Sequence, residues 1–239
     1  MPSNKKWYKR WWAITFFILL GLILIILSFS GLYFLKKVKT YQADRNQSSG
    51  DITAQVVREL KNQKKYPHPK GTDATNHYIG TTSPEVTIVQ FVDFTCSFCK
   101  KAHSTIRKLG LKYPEYVKIV VRDFPTSEEG INLSLAANCA GDQGVFWPMY
   151  DKLFSNQDNI DPTNINQLTD LAQQIGADTS EFQKCLQEEK FLPEIRKDMR
   201  DGKKMNVKGT PTYFINGHKI SGDVPYELFQ TVITGLIEK

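Results

Sequence analysis

The sequence predicts an α/β fold that carries an inserted all-helical subdomain and is preceded by a single N-terminal transmembrane helix. Three observations predict it. An apolar, β-branched run, VTIVQFVDF from Val86 to Phe94, leads into Cys96 and a helix-compatible stretch, and a second run, VKIVVRDF from Val117 to Phe124, follows it. Strands of this composition, joined through a helix, are those of a buried sheet. From Glu128 to about Met205 the apolar positions recur at helical spacing, before strand chemistry returns in TYFING from Thr212. Finally, Trp11 to Leu35 contains no charged residue.

Taken in order, residues 1–10 form a short tail and residues 11–35 the anchor. At ~1.5 Å per residue a helix of that length crosses a hydrocarbon layer of ~30 Å with some tilt. Trp7, Tyr8, Trp11 and Trp12 at one end and Tyr33 at the other suit the two membrane interfaces. The small residues Ser28, Ser30 and Gly31 offer a signal-peptidase site instead, but the apolar run continues past them through Leu35, which favours an uncleaved anchor. Lysines and arginines flank the span on both sides, so charge alone leaves its orientation tied.

Residues 36–76 are polar and broken by Ser48-Ser49-Gly50, Pro67 and Pro69, the composition of a linker, with one short helix expected around Ile52 to Lys61. The domain spans residues 77–239, with its helical insert at about 128–205. After the strand at Val86, a helix runs from about Ser97 to Lys112. Within the insert, helices are expected near Ile131 to Ala140, Trp147 to Asn156, Thr163 to Ile175, Ser180 to Glu188 and Leu192 to Lys204. Asp161-Pro162 and the Asp178 to Glu181 cluster mark two of their starts. Gly217-His218 is the expected hairpin turn into KISG, and an amphipathic helix closes the chain from about Tyr226.

The net charge of +6 is unevenly placed: residues 1–70 carry 13 Lys/Arg against 3 Asp/Glu, and the remainder 18 against 22. The basic charge flanks the anchor, where it would meet anionic headgroups, and no interleaved basic and aromatic patch of the kind that binds nucleic acid is present.

Most of the chemistry lies in DFTCSFCKKAH, Asp93 to His103. Cys96 and Cys99 could be a metal clamp, a buried structural pair or a thiol-disulfide switch. A cysteine at a helix N-terminus meets unpaired N–H groups and the positive end of the helix dipole, which favour its thiolate. Cys96 is so placed, as the attacking thiolate, and Cys99, one turn deeper, is close enough to resolve a mixed disulfide. Structural zinc would need two further clustered ligands, whereas Cys139 and Cys185 are single and distant. Copper delivery would call for a histidine close to the strand hairpin or a longer cysteine spacing, and His218 is expected in a turn. His103, four residues after Cys99, shares its helix face; as a cation it could favour a thiolate, but it reads as an exposed surface histidine. Cys139 and Cys185 each read singly as buried small hydrophobes, and as an even pair in an oxidising compartment as a structural disulfide. Pro211 alone is a strand-initial proline.

The segments TIVQFVDFTCSFCKKAH, AANCAGDQGVFWPMYDKLF, FQKCL and VKGTPTYFING together resemble the DsbA-like thiol-disulfide oxidoreductases, over about Asn76 to Lys239. That resemblance implies a thioredoxin-like fold with a helical insert. It implies that Cys96 and Cys99 are catalytic, that Pro211 is cis beside them, that Thr210 offers backbone atoms to an extended substrate, and that Cys139 and Cys185 are paired. No metal or organic cofactor is implied. Two departures stand out: Ser97 follows the first cysteine where family members often have proline, and Gln90 occupies the position, six before Cys96, where they often carry a buried acid that moves protons. Asp93 is nearer in sequence, on the opposite strand face.

Because disulfide donation is useful only where disulfides persist, the expected location is the cell membrane, single-pass, with the catalytic domain outside the cytoplasm of a bacterium. The expected partners are reduced or unfolded exported proteins and a membrane protein that reoxidises the chain, which acts as a monomer. A reductase or isomerase using the same thiols, and a non-catalytic peptide-binding or chaperone module, are the competing functions.

Overall fold

The computed structural model describes residues 77–237 continuously, together with residues 30–40 and the single positions Phe16, Leu20, Gly21, Leu27, Arg58, Asn62, Lys65 and Tyr66. The chain divides after Ile52 into two units. In the first, residues 30–40 are helical, and Leu32, Tyr33, Phe34 and Leu35 are all exposed. Most of the expected anchor at 11–35 lies outside the described residues, as does the expected helix at Ile52 to Lys61 apart from Arg58, which is helical. Among the described residues no helix is long and apolar enough to cross a membrane.

The second unit is built on a five-stranded sheet in the order β1-β3-β2-β4-β5, from β1 (Tyr78–Gly80), β2 (Val86–Val92), β3 (Val117–Asp123), β4 (Thr212–Ile215) and β5 (His218–Ser221). β2 and β3 run parallel, and every other pairing is antiparallel. A parallel pair needs a crossover, and α1 (Ser97–Lys112) supplies it. α1 turns Ala102, Ile106 and Leu109 to the sheet, a helical stripe that meets Ile88, Ile119 and Ile215. The C-terminal helix α7 (Tyr226–Ile237) adds Phe229 and Val232 to that same core. Phe91, Phe124 and Phe214 form the core on the other face of the sheet.

Five helices lie between β3 and β4: α2 (Glu128–Asp142), α3 (Phe146–Ser155), α4 (Ile165–Gln174), α5 (Thr179–Gln187) and α6 (Leu192–Lys204). The first four share a core that includes Tyr150, Phe154 and Phe182. A disulfide joins Cys139 of α2 to Cys185 of α5 across a Cα–Cα distance of 5.8 Å. Two boundaries differ from the sequence expectation for local reasons. Asp161 does not start a helix, because its carboxylate turns back to the Thr163 amide at 2.9 Å, and Asn164 instead caps α4 through the Gln167 amide at 3.1 Å. The hairpin turn is Asn216-Gly217, at φ 46° and 88°, so His218 belongs to β5. Positive φ at both turn residues is the conformation that Asn-Gly adopts best.

A buried polar network ties this helical insert to the sheet. Arg122, 1% exposed at the end of β3, donates to Asp198 of α6 at 2.6 Å and to Asp201 at 2.9 Å. Asp198 also accepts from the Asp123 amide at 3.0 Å, and Asn138 of α2 donates to the Asp123 carboxylate at 2.8 Å. Burial, and then the charge of Asp198, push the Asp123 carboxyl up from 3.8 to about 7.

Two predictions follow from this architecture. The disulfide spans 46 residues of sequence, so replacing both Cys139 and Cys185 by alanine lowers the free energy of urea unfolding by about 4 kcal/mol. Between 3.8 and about 7 the folded chain keeps a proton on Asp123 that the unfolded chain releases, so this group's contribution to stability falls as pH rises through that window. The melting temperature of Asp123→Asn relative to the parent chain therefore climbs across it and levels off above, as a pH series of thermal melts checks.

Candidate active site

β2 ends at Val92, and the chain turns through Asp93, Phe94 and Thr95 to place Cys96 as the N-cap of α1. Several contacts hold this turn in place. The Asp93 carboxylate accepts from the Thr95 amide and hydroxyl at 2.9 and 2.7 Å, and from the Thr126 amide and hydroxyl at 2.9 and 2.8 Å. The loops after β2 and β3 are thus tied by one buried side chain. α2 begins directly against it, since a Cβ at Gly130 would stand 2.8 Å from Asp93 Oδ1. From the far side, Gln157 donates its amide to the Phe94 carbonyl at 2.7 Å and to the Cys96 carbonyl at 3.1 Å.

Cys96 and Cys99 are free thiols in different environments: Cys96 is half-buried and Cys99 is fully buried. The Cys96 side chain carries no capping hydrogen bond, and the first turn of α1 holds no acidic residue, so the helix N-terminus acts on its sulfur unopposed. The Cys96 thiol is pushed down from 9.0 to about 5. The Cys99 thiol, which donates to the Cys96 sulfur, contributes most. Burial opposes it, and the Thr210 side chain and the Cys99 and Phe98 amides add further stabilisation. Cys99 moves the other way, far above the ordinary thiol range, because burial disfavours its charge and it donates to Cys96. At neutral pH the pair therefore holds one thiolate, on the more accessible sulfur.

The Thr210-Pro211 peptide is cis, and the Thr210 carbonyl lies 3.2 Å from Cys96 Sγ. The sheet brings them together: β4 pairs with β2, with Thr212 opposite Phe91, so both strand ends reach the same edge as the α1 N-terminus. Gly209 and Phe98 are exposed beside this contact, Phe98 at 54%.

The structure corrects one sequence reading and fills in others. His103 is not an exposed surface histidine. Its Nε2 lies 2.7 Å from Asp151 Oδ1 of α3, and its ring packs against Tyr150 and Phe154. Helical spacing placed it on the Cys99 face, and that face is covered by α3. Gln90 is fully buried; its Oε1 accepts from the Tyr150 hydroxyl at 3.2 Å, while its Nε2 has no partner among the described residues. Asp93 is spent on Thr95 and Thr126. Sequence reasoning missed Gln157, Thr126, Tyr150 and Gly130, and no local pattern marks them: Thr126 reaches the site because β3 lies beside β2, and the other three because the insert folds over it. Among the described residues no group of three or more His, Cys, Asp or Glu side chains is placed to hold a metal ion.

A Na(+)/H(+) antiporter NhaA of Salinispora tropica is 31% identical over 156 residues, 64% of this chain and 23% of that protein. The chain spans about a quarter of the length of such relatives. A Rickettsia bellii protein provisionally named a protein-disulfide oxidoreductase is 30% identical over 151 residues, 61% of this chain and 58% of that protein. Among solved structures, BdbD from Bacillus subtilis is 24% identical with a TM-score of 0.63, covering 69% of this chain and 94% of that one. Wolbachia pipientis alpha-DsbA1 is 19% identical with a TM-score of 0.63, covering 69% and 92%. Both share the fold. A family model described as Thioredoxin matches residues 72–234, well over half of the sequence, and the chain belongs to that family.

Proposed function

We propose that this chain is a protein thiol-disulfide oxidoreductase that donates its Cys96–Cys99 disulfide to reduced exported proteins outside the cytoplasm, tethered to the membrane by residues 11–35. The observation that carries this reading is the contrast between the two sulfurs: an accessible Cys96 whose thiolate is favoured, above a Cys99 whose thiolate is strongly disfavoured.

The chemistry follows from that contrast. A substrate thiolate attacks Cys96, the sulfur reachable from solvent; a new S–S bond forms, and the electron pair of the old one leaves on Cys99, which takes up a proton. A second substrate thiolate then attacks the substrate sulfur of the mixed disulfide, and the electron pair of that bond leaves on Cys96. The substrate loses two electrons and the cysteine pair gains them. A low leaving-group pKa speeds the second step. Because the Cys96 thiolate exists only in the reduced protein, its stabilisation favours reduction of the pair, which makes the disulfide form an oxidant. Exposed Gly209 and the Thr210 backbone beside Cys96 offer an extended substrate chain a place to dock, and a membrane redox partner restores the disulfide. The charge-free run before Lys36 and the exposed apolar side chains of residues 32–35 support the tether.

The reading is tested by the reduction potential of Cys96–Cys99, measured by glutathione equilibration. A value less negative than roughly −200 mV is expected, and one near ~−270 mV would make the chain a reductase. Cys96→Ser abolishes catalysed oxidative refolding of a reduced protein; unchanged activity would leave a chaperone role. The rate of Cys96 alkylation rises with pH around a midpoint near 5, and Cys99→Ala, by removing the largest stabilising hydrogen bond, moves that midpoint upward.

A further inference from the structure

The backbone of Cys96 is held from two directions. Its amide donates to the Asp93 carbonyl at 3.1 Å, and its carbonyl accepts from the Lys100 amide at 3.1 Å, the first bond inside α1. Both are local. The same carbonyl also accepts from the Gln157 side chain at 3.1 Å, across 61 residues of sequence, and the Phe94 carbonyl accepts from it at 2.7 Å. Both partners are carbonyl oxygens, so the end of Gln157 that faces them is the amide nitrogen, and its two hydrogens are divided between them.

Gln157 is itself firmly placed in the insert. It follows Asn156, the C-cap of α3, whose side chain donates back to the Lys152 carbonyl at 2.8 Å. Phe154, 1% exposed, sets its ring 5.0 Å from that of Phe94. Asp158 pairs with Lys100 at 2.5 Å, one turn into α1. The segment 154–158 therefore grips the start of α1 both before Cys96 in sequence and after it.

The grip bears on the sulfur through the backbone. As N-cap, Cys96 has ψ 121°, and this torsion orients both the carbonyl that Gln157 holds and the side chain relative to the first turn of α1. The amides of Phe98 and Cys99 in that turn reach Sγ, and hydrogen bonds of this kind stabilise a thiolate. A disulfide sulfur carries no charge, so what steadies the thiolate favours the reduced protein alone.

On the basis of the function proposed above, we infer that Gln157 is a positioning residue of the exchange reaction: by holding the Phe94 and Cys96 carbonyls from the insert it keeps Sγ over the first-turn amides in the reduced protein, and thereby makes the disulfide a stronger oxidant. The electron count of the exchange is unchanged. The pair still takes two electrons from two substrate thiols, and Gln157 acts only on the energy of the thiolate that this leaves on Cys96.

The test replaces Gln157 in the full chain by leucine, and separately by methionine, which keeps its length without a donor. Two quantities are read: the pH midpoint of Cys96 alkylation, and the equilibrium of Cys96–Cys99 with glutathione at neutral pH. In each variant the midpoint rises by about one pH unit and the equilibrium moves about tenfold toward the disulfide, the size of one well-placed hydrogen bond, which makes the potential about 30 mV more negative. The two shifts match because both read the same thiolate, while the melting temperature of the oxidised form stays at the parental value. A merely structural glutamine gives a lower melting temperature with midpoint and potential unmoved, and that result overturns the inference. So does a shift in potential without the matching change in midpoint. The comparison is between variant and parent, so it stands whatever the parent's own potential. A parental potential near ~−270 mV, or exchange left unchanged by Cys96→Ser, sinks the proposed function instead and leaves the role of Gln157 readable.

Discussion

The meeting of the α1 N-terminus with the cis Thr210-Pro211 peptide is the constraint on which the rest of the site depends. It sets the Thr210 carbonyl 3.2 Å from Cys96 Sγ, and neither partner is held by its own local sequence. β2 carries the chain to Cys96 and β4 starts beside it, so the contact exists because two strands far apart in sequence are neighbours in one sheet. The positive end of a helix dipole lies within about one turn of the terminus. Because Cys96 is the N-cap of α1, the helix field and the Cys99 thiol travel with it, and a shift of α1 along its axis by a single turn would remove the Thr210 carbonyl from the reacting sulfur.

That precision explains where the buried polar groups are spent. The Asp93 carboxylate, Gln157 and the close approach at Gly130 all fix the turn between β2 and α1. One step further out, Arg122 and Asp198 fix α6 to the end of β3. Breaking such a buried pair by removing one partner costs about 3–5 kcal/mol, whereas an apolar replacement of both is often neutral. The network is therefore better understood as a device for orientation than for stability: it sets α6, whose C-terminus leads within six residues to Thr210.

The local elements were legible from pattern alone. β2, α1, β3 and α6 follow from apolar runs and helical stripes that their own residues encode, and Leu192 to Lys204 matches α6 to the residue. β1 was not legible, because three residues carry no period, and Tyr78–Gly80 becomes a strand only by pairing with β3. Cys96 and Cys99 stood out because their chemistry depends on spacing within a single helix. The groups that shape that chemistry, Tyr150 and Gln157, lie between 51 and 61 residues further along the chain, and only the tertiary fold selects them from among many similar side chains. His103 failed for the same reason in reverse: its helical face was deduced correctly, but what covers that face is decided by α3.

The two cysteines also show how little chemical difference a large functional asymmetry needs. Both are thiols in the first turn of one helix, separated by Ser97 and Phe98. Rotation about the helix axis sends Cys96 to the rim and Cys99 into the core with Tyr150. The hydrogen bond between them lowers Cys96 and raises Cys99, while burial pushes both thiols up and dominates at Cys99. Phe98 takes the outward position between them, exposed beside Cys96, and Lys101 lies over its ring at 5.3 Å. The helix therefore sets an exposed apolar side chain next to the more accessible sulfur while it buries the other.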